Sequence, residues 1–320
     1  MPLKILITGS SGYIGSHFVK YFKRNGADVF GIDLVFPPKQ LQKYFSSHIV
    51  EDISNVKHVS DFLDKTKPEL IIHCAAKCLI SESNEQPAMY HEYNVLKATA
   101  FLDLCLSKNI PNFLYSSTAA TYGEPIKSPI KENHPQNPIN NYGKTKLEFE
   151  RILLSKKELC VGILRYFNAA GADPETEIGE HHEPETHLIP NVIRAILDGK
   201  PIFVHGNTYP TKDGTCVRDY IHVMDLKDMH WRLAKQMIEK KRGGIYNLGS
   251  THGYSILEVI KTAEKIIGKK TQILFQGKRP GDPSILIADA GAAKNDFDWT
   301  PQHSSLENMI ETALKWHSKG

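Results

Sequence analysis

Short apolar runs alternate with longer stretches of helical period through the first half of the chain. Residues 3–7, 28–32, 47–50, 70–73, 112–116 and 160–166 are runs of four to seven mostly apolar positions, the pattern of strands buried on both faces. Between them, 13–25, 56–65, 88–107 and 141–155 read as helices. In the first of these, Ile14, His17, Phe18 and Phe22 fall on one stripe. Strand and helix alternating in this way predict an α/β fold with a doubly wound parallel sheet of the Rossmann type. Ligands of such sheets bind beyond the carboxyl ends of the strands. Gly9, Asp33, Ala75, Ala76, the run Ser116-Ser117-Thr118 and Asn168 all fall at such ends.

The second half changes character. A polar segment rich in Pro, Glu and His runs over 171–187, followed by a helix at 189–197 and a short strand at 202–204. Helical patterns return at 224–238, 255–267 and 305–316, with no internal repeat and no flexible linker. The expected organisation is a dinucleotide-binding domain over 1–170 and a smaller, packed α/β lobe over 171–320. The boundary is approximate, the lobes are expected to interleave, and a substrate cleft is expected between them.

The first strand runs into Thr8-Gly9-Ser10-Ser11-Gly12-Tyr13-Ile14-Gly15. Glycines at 9, 12 and 15, between a strand and a helix, are spaced for a tight turn, a close approach of backbone N–H groups to a pyrophosphate, and close helix–strand packing. The second strand ends in Asp33, 18 residues past Gly15 and near the ~20 at which a carboxylate meets the ribose hydroxyls. That carboxylate would repel a ribose phosphate, and no arginine follows it closely, so the cofactor read here is NAD and not NADP.

Asn140 is placed to cap a helix that carries Tyr142 and Lys146 at i, i+4, on one face. An ammonium beside a phenol favours the phenolate, so Tyr142 is expected to titrate below its ordinary value. Such a phenol can take a proton from a secondary alcohol while hydride leaves the same carbon. Thr118 offers a hydroxyl to the reacting oxygen.

These motifs, with Arg165-Tyr166-Phe167-Asn168 and the run Asp213-Gly214-Thr215-Cys216-Val217-Arg218-Asp219-Tyr220-Ile221-His222-Val223, resemble the extended short-chain dehydrogenases over nearly the whole chain. Within that family they resemble the NAD-dependent nucleotide-sugar epimerases. The resemblance implies a UDP-sugar oxidised transiently at C4 by tightly held NAD, with Tyr142, Lys146 and Thr118 catalytic. It implies a cofactor site of Gly9, Ser11, Gly12, Tyr13, Ile14, Gly15, Asp33, Asp52, Ile53, Ala75, Ala76, Asn94, Ser116, Tyr142, Lys146 and Phe167. It also implies substrate contacts from Thr118, Tyr142, Asn168, His187, Leu188, His205, Arg218, Arg279 and Asp282, with the arginines on the diphosphate. Leu286 falls at the position that gates the sugar's 2-substituent, and a leucine there leaves N-acetylated sugars open; UDP-pentoses and UDP-glucuronate stay open because their epimerisation uses the same catalytic residues. A homodimer packed through 88–107 and 141–155 is implied as well. A dehydratase of the same fold needs an acid and a base after the hydroxyl residue, whereas Ala119-Ala120 follow Thr118. A non-enzymatic NAD sensor would have no need of the Tyr142/Lys146 pair.

Composition narrows the classes further. The chain of 320 residues is 41% hydrophobic and 23% charged with a formal net charge of +3, which argues for neither nucleic-acid nor membrane partners. No signal-peptide pattern opens it and no apolar stretch approaches the ~20 residues of a spanning helix, so a cytoplasmic protein is expected. Five cysteines, Cys74, Cys78, Cys105, Cys160 and Cys216, read as buried free thiols. His181-His182-Glu183 and His187 invite a metal reading. They lie in a Pro-rich loop and not on a helix that would fix ligands, and the chemistry needs no metal, so none is expected.

Overall fold

The computed structural model describes residues 2–279 and 282–319. Lys4–Thr8 is an interior strand of a seven-stranded sheet, flanked by Leu70–His73 and Asp28–Asp33, with Ile5, Leu6 and Ile7 fully buried, which is why that run carries so few polar residues. The strand order is Gly244–Leu248, Cys160–Tyr166, Asn112–Thr118, Leu70–His73, Lys4–Thr8, Asp28–Asp33, Ser47–Val50. From Asn112–Thr118 across to Ser47–Val50 the strands pair in parallel, with Ile5 registered against both Val29 and Leu70. The chain order reverses at Lys4–Thr8, the switch point beside which such sheets bind ligands. The Rossmann-type α/β fold read from the alternation is therefore the one observed.

Two compact units make up the chain. The first comprises the segments ending at Thr121, Gln136–Arg165 and Lys227–Tyr246; the second comprises Tyr122–Pro135, Tyr166–Leu226 and the stretch from Asn247 onward. In the first unit, Leu6, Ile32, Phe62, Ile71, Phe101, Phe113 and Phe149 form the core on one face of the sheet. In that same unit the helix Tyr13–Arg24 sets Phe18 and Phe22 against His230 and Trp231 of the helix Val223–Lys240, with ring centroids 4.2 and 5.1 Å apart. In the second unit the helices Leu188–Asp198, Ile256–Ile267 and Leu306–His317 enclose Ile193, Val259, Ile260 and Met309. There Val217–His222 is the centre of a small sheet, antiparallel to Gly253–Ser255 and parallel to Ile285–Leu286 and Asn168–Ala170.

Two features depart from the sequence pattern. The helix expected over 88–107 is three pieces: Pro87–His91, a π-helical Glu92–Lys97, and Ala98–Ser107. Cys78 is exposed, and Cys74 and Cys160 are half-buried; only Cys105 and Cys216 are buried. No helix among the described residues is long and apolar enough to cross a membrane.

Candidate active site

The glycine turn is a cradle that side chains would fill. Gly9 has φ of +67°, and a Cβ there would stand 2.8 Å from the Ala75 nitrogen; at Gly15 a Cβ would stand 2.1 Å from the Gly9 carbonyl oxygen. The helix Tyr13–Arg24 starts at Gly12 with no side-chain cap and no acidic residue in its first turn. Its N–H groups and dipole are thus left to an anion, which fits the diphosphate of a dinucleotide. Asp33 ends the second strand and accepts from the Ser11 N–H at 2.8 Å and the Val35 N–H at 3.3 Å, fixing the turn.

The other expected cofactor residues border the same unit's sheet, except Phe167. Ala75 and Ala76 follow Leu70–His73, and the Ala75 N–H donates to Thr8 Oγ1 at 3.3 Å. Asp52 accepts from Lys97 Nζ at 2.7 Å and from Ser54, and Ile53 packs on the core. Asn94 sits in the π-helical turn, where it accepts from the Lys77 N–H at 2.8 Å and donates to the Lys77 carbonyl and to Thr145. A π-turn of this kind commonly marks a functional position. Phe167 is buried in the second unit, where its N–H donates to the Leu248 carbonyl.

Asn140 caps the helix Asn141–Ser155 as expected, its Oδ1 accepting from the Gly143 N–H at 2.7 Å. That sets Tyr142 in the first turn, where the Thr118 side chain at the end of Asn112–Thr118 acts on its phenol. Lys146 is buried, donates to the Ser116 carbonyl at 2.7 Å and stands over the Tyr115 ring at 4.2 Å. Desolvation lowers its ammonium to about 8. Desolvation around the phenol pushes Tyr142 above the ordinary tyrosine range, with Thr118 working in the opposite direction. This differs from the lowered Tyr142 expected from the i, i+4 spacing: burial of the phenol dominates, and Lys146 Nζ is held by the Ser116 carbonyl. An oxidised nicotinamide, when bound, supplies the positive charge that favours the phenolate.

Two residues to which the sequence assigned no role, Glu150 and Arg165, hold this arrangement. Glu150 takes a bidentate pair from buried Arg165 (Nη2 to Oε2 2.6 Å) and a hydrogen bond from Ser117 Oγ, and also accepts from Gln136. An arginine inside an apolar strand run, and a glutamate one turn past Lys146, were the available signals.

The second unit gathers most of the expected substrate residues. Arg218 is ion-paired to Asp282, and Asn168 Nδ2 donates to the Asp219 carbonyl at 3.0 Å. His205 ends Ile202–His205 and is lowered by burial and by the charge of Arg279, while Asp282 acts on it in the opposite sense. Tyr209, not expected, is buried with its hydroxyl unpartnered, and burial and Asp282 raise it while Arg218 and Arg279 lower it. His205, Tyr209, Arg218, Arg279 and Asp282 are therefore one electrostatic cluster. Leu286 is half-buried and registered beside Arg218. His187 and Leu188 open the helix Leu188–Asp198, and His187 Nδ1 lies 2.6 Å from Glu180. The loop before that helix does fix side chains: Glu180, His182, Glu185 and His187 bring their ligand atoms within 4.8 Å of one another.

Similarity to known proteins agrees with this geometry. The sequence model of the NAD dependent epimerase/dehydratase family matches residues 5–249. A UDP-glucose 4-epimerase of Lactobacillus helveticus is 39% identical, with 98% of this chain and 97% of that protein covered. Among solved structures, UDP-glucose 4-epimerase from Brucella ovis in complex with NAD is 36% identical with a TM-score of 0.93, covering 98% of both chains. UDP-glucose 4-epimerase from Bifidobacterium longum in complex with NAD+ and UDP is 30% identical with a TM-score of 0.92, covering 99% of this chain and 98% of that one. The glycine cradle, Asp33 and the Tyr142/Lys146 pair thus lie within a match that spans more than half of the sequence, and the chain belongs to the NAD dependent epimerase/dehydratase family.

Proposed function

We propose that this protein is a UDP-glucose 4-epimerase that interconverts UDP-galactose and UDP-glucose. The observation that carries the reading is Tyr142 in the first turn of Asn141–Ser155, beside Thr118 at the end of Asn112–Thr118, with buried Lys146 one helical turn on. Tyr142 takes the proton of the sugar 4-hydroxyl and later returns it, and Thr118 orients the reacting oxygen. Gly9, Ser11, Gly12, Tyr13, Ile14 and Gly15 would hold NAD, which would supply a reversible hydride acceptor for C4, so that nothing is consumed over a cycle. Arg218 and Arg279 suit a diphosphate, because the guanidinium fork matches its oxygens. His205 and Asn168 then serve the uridine end and Asp282 the ribose. Domain roles follow: the N-terminal part to about residue 170, interleaved with the rest through Lys227–Tyr246, for the cofactor and most of the remainder for the nucleotide-sugar.

Leu286 favours a second reading at the level of the sugar, since a half-buried leucine neither fills nor empties the space for a 2-substituent. Proton NMR of UDP-galactose with purified protein and no added NAD tests both readings. Growth of the UDP-glucose anomeric signal is the expected result. With bound NAD present, conversion of UDP-N-acetylgalactosamine alone would move the assignment to the N-acetyl sugar. Tyr142→Phe removes the only group assigned the proton, and turnover is expected to fall by about 10²–10⁴. The compartment proposed is the cytosol and the assembly a homodimer. Leu96 and Leu154, exposed at 56% and 50% on the helical segments 87–107 and 141–155, support that assembly, which light scattering on the eluted protein checks.

A further inference from the structure

We propose that Glu180, His182, Glu185 and His187 form a closed, four-ligand site for a zinc ion, separate from the chemistry at Tyr142. The four lie within eight consecutive residues in a Glu-x-His-x-x-Glu-x-His spacing. The Nδ1 atoms of His182 and His187 are 3.4 and 2.6 Å from Glu180 Oε1, and 3.7 and 3.5 Å from Glu185 Oε1. Zinc with nitrogen and oxygen ligands at about 2.0–2.1 Å in a tetrahedron requires ligand–ligand edges of about 3.4 Å. Three of these four separations are near that edge.

Burial carries the argument further than the distances. Glu180 is 4% exposed, yet its Oε1 makes no hydrogen bond, and neither do the buried His182 Nδ1 and Glu185 Oε2. All four residues offer a ligand atom within 4.8 Å of the others, close enough for one ion to take them together. Two buried carboxylates a few ångströms apart also repel unless a cation sits between them. Surrounding groups fix the ligands as an outer shell does. Trp316 Nε1 donates to the Glu180 carbonyl at 2.9 Å, and the Thr186 and His187 N–H groups each donate to Glu185 Oε1 at 2.9 Å. Asn191 Nδ2 holds the Glu185 carbonyl at 3.2 Å.

The donor set selects the ion. Calcium and magnesium take six or more oxygen ligands, whereas two imidazoles and two carboxylates suit zinc. Four protein ligands leave no open position, so the ion is structural and ties the loop to the start of Leu188–Asp198.

The test uses the full-length protein, stripped with EDTA, dialysed against zinc chloride and freed of excess ion. One zinc per chain is expected by plasma mass spectrometry, with an X-ray absorption spectrum of nitrogen and oxygen neighbours only, imidazole scattering included. His182→Ala and Glu180→Gln are expected to retain at least tenfold less, and Glu183→Gln, outside the quartet, to retain it fully. Failure of the unsubstituted protein to hold stoichiometric zinc would overturn the proposal. So would sulfur in the spectrum, or equal retention by both quartet variants. The measurements on the unsubstituted protein decide the question even if a variant does not fold.

Discussion

Lys146 is an ammonium taken out of water, lowered to about 8 where an exposed lysine titrates at 10.5. Below pH 8 the folded chain bears the whole penalty of that charge, on the order of 3 kcal/mol at 1.36 kcal/mol per unit. Between pH 8 and 10.5 the unfolded chain holds the proton and the folded chain does not, so stability rises with pH, by at most about 1.4 kcal/mol per unit. Lys146→Met removes the penalty along with one hydrogen bond, worth about 1 kcal/mol. The variant is therefore expected to be inactive and yet more stable near pH 7, with its advantage shrinking as the pH climbs past 8. Urea midpoints of both proteins from pH 7 to 10 measure this, and a pH-independent difference would refute desolvation as the cause. At this scale the glycine turn and the Asn140 cap were legible in the sequence, because each answers a backbone constraint a few residues wide. The Lys146 contact was not legible: spacing puts its Cβ on the face of Tyr142, but the rotamer carries Nζ to the Ser116 carbonyl.

Elements meet at Glu150. It belongs to the helix Asn141–Ser155 and binds Arg165 in Cys160–Tyr166 and Ser117 in Asn112–Thr118, so one carboxylate fastens a helix to two strands. The side chains are 1% and 3% exposed. Removing one partner of such a pair leaves the other charge buried, at a cost of about 3–5 kcal/mol. Glu150→Ala should lose that much in denaturant unfolding, and Glu150→Leu combined with Arg165→Leu should recover most of it. If the double variant is no more stable than the single one, packing and not the orphaned charge is the reason. Strand and helix positions in this region followed the apolar period closely. The π-turn at Glu92–Lys97 escaped it, since six residues are too few for a slightly longer period to show. The Glu180–His187 cluster escaped for a related reason: convergence of a loop leaves no periodic signal, and the sequence reading counted the loop against a metal.

For the whole molecule, chain order and compact units part company. The first unit takes Lys227–Tyr246 from far along the chain, and these residues finish its packing. His230 and Trp231 cover Phe18 and Phe22, and a Cβ on Gly162 would touch Met237 and Leu233 within about 3 Å, so the later helix lies flat on the strand. The strand Gly244–Leu248 closes the sheet beside Cys160–Tyr166. The alternation in the first 170 residues announces a complete cofactor domain, and nothing in it signals that a helix and a strand will be supplied from beyond residue 226. A fragment of residues 1–170 keeps the glycine turn, Asp33, Tyr142 and Lys146, but exposes the aromatic face of Tyr13–Arg24 and leaves an unpaired strand edge. It is expected to aggregate or to melt without a cooperative transition, and to bind no NAD, as circular dichroism melting and NAD titration of the fragment would register. A sharp melt with NAD retained would mean that Lys227–Tyr246 is dispensable to the fold it completes.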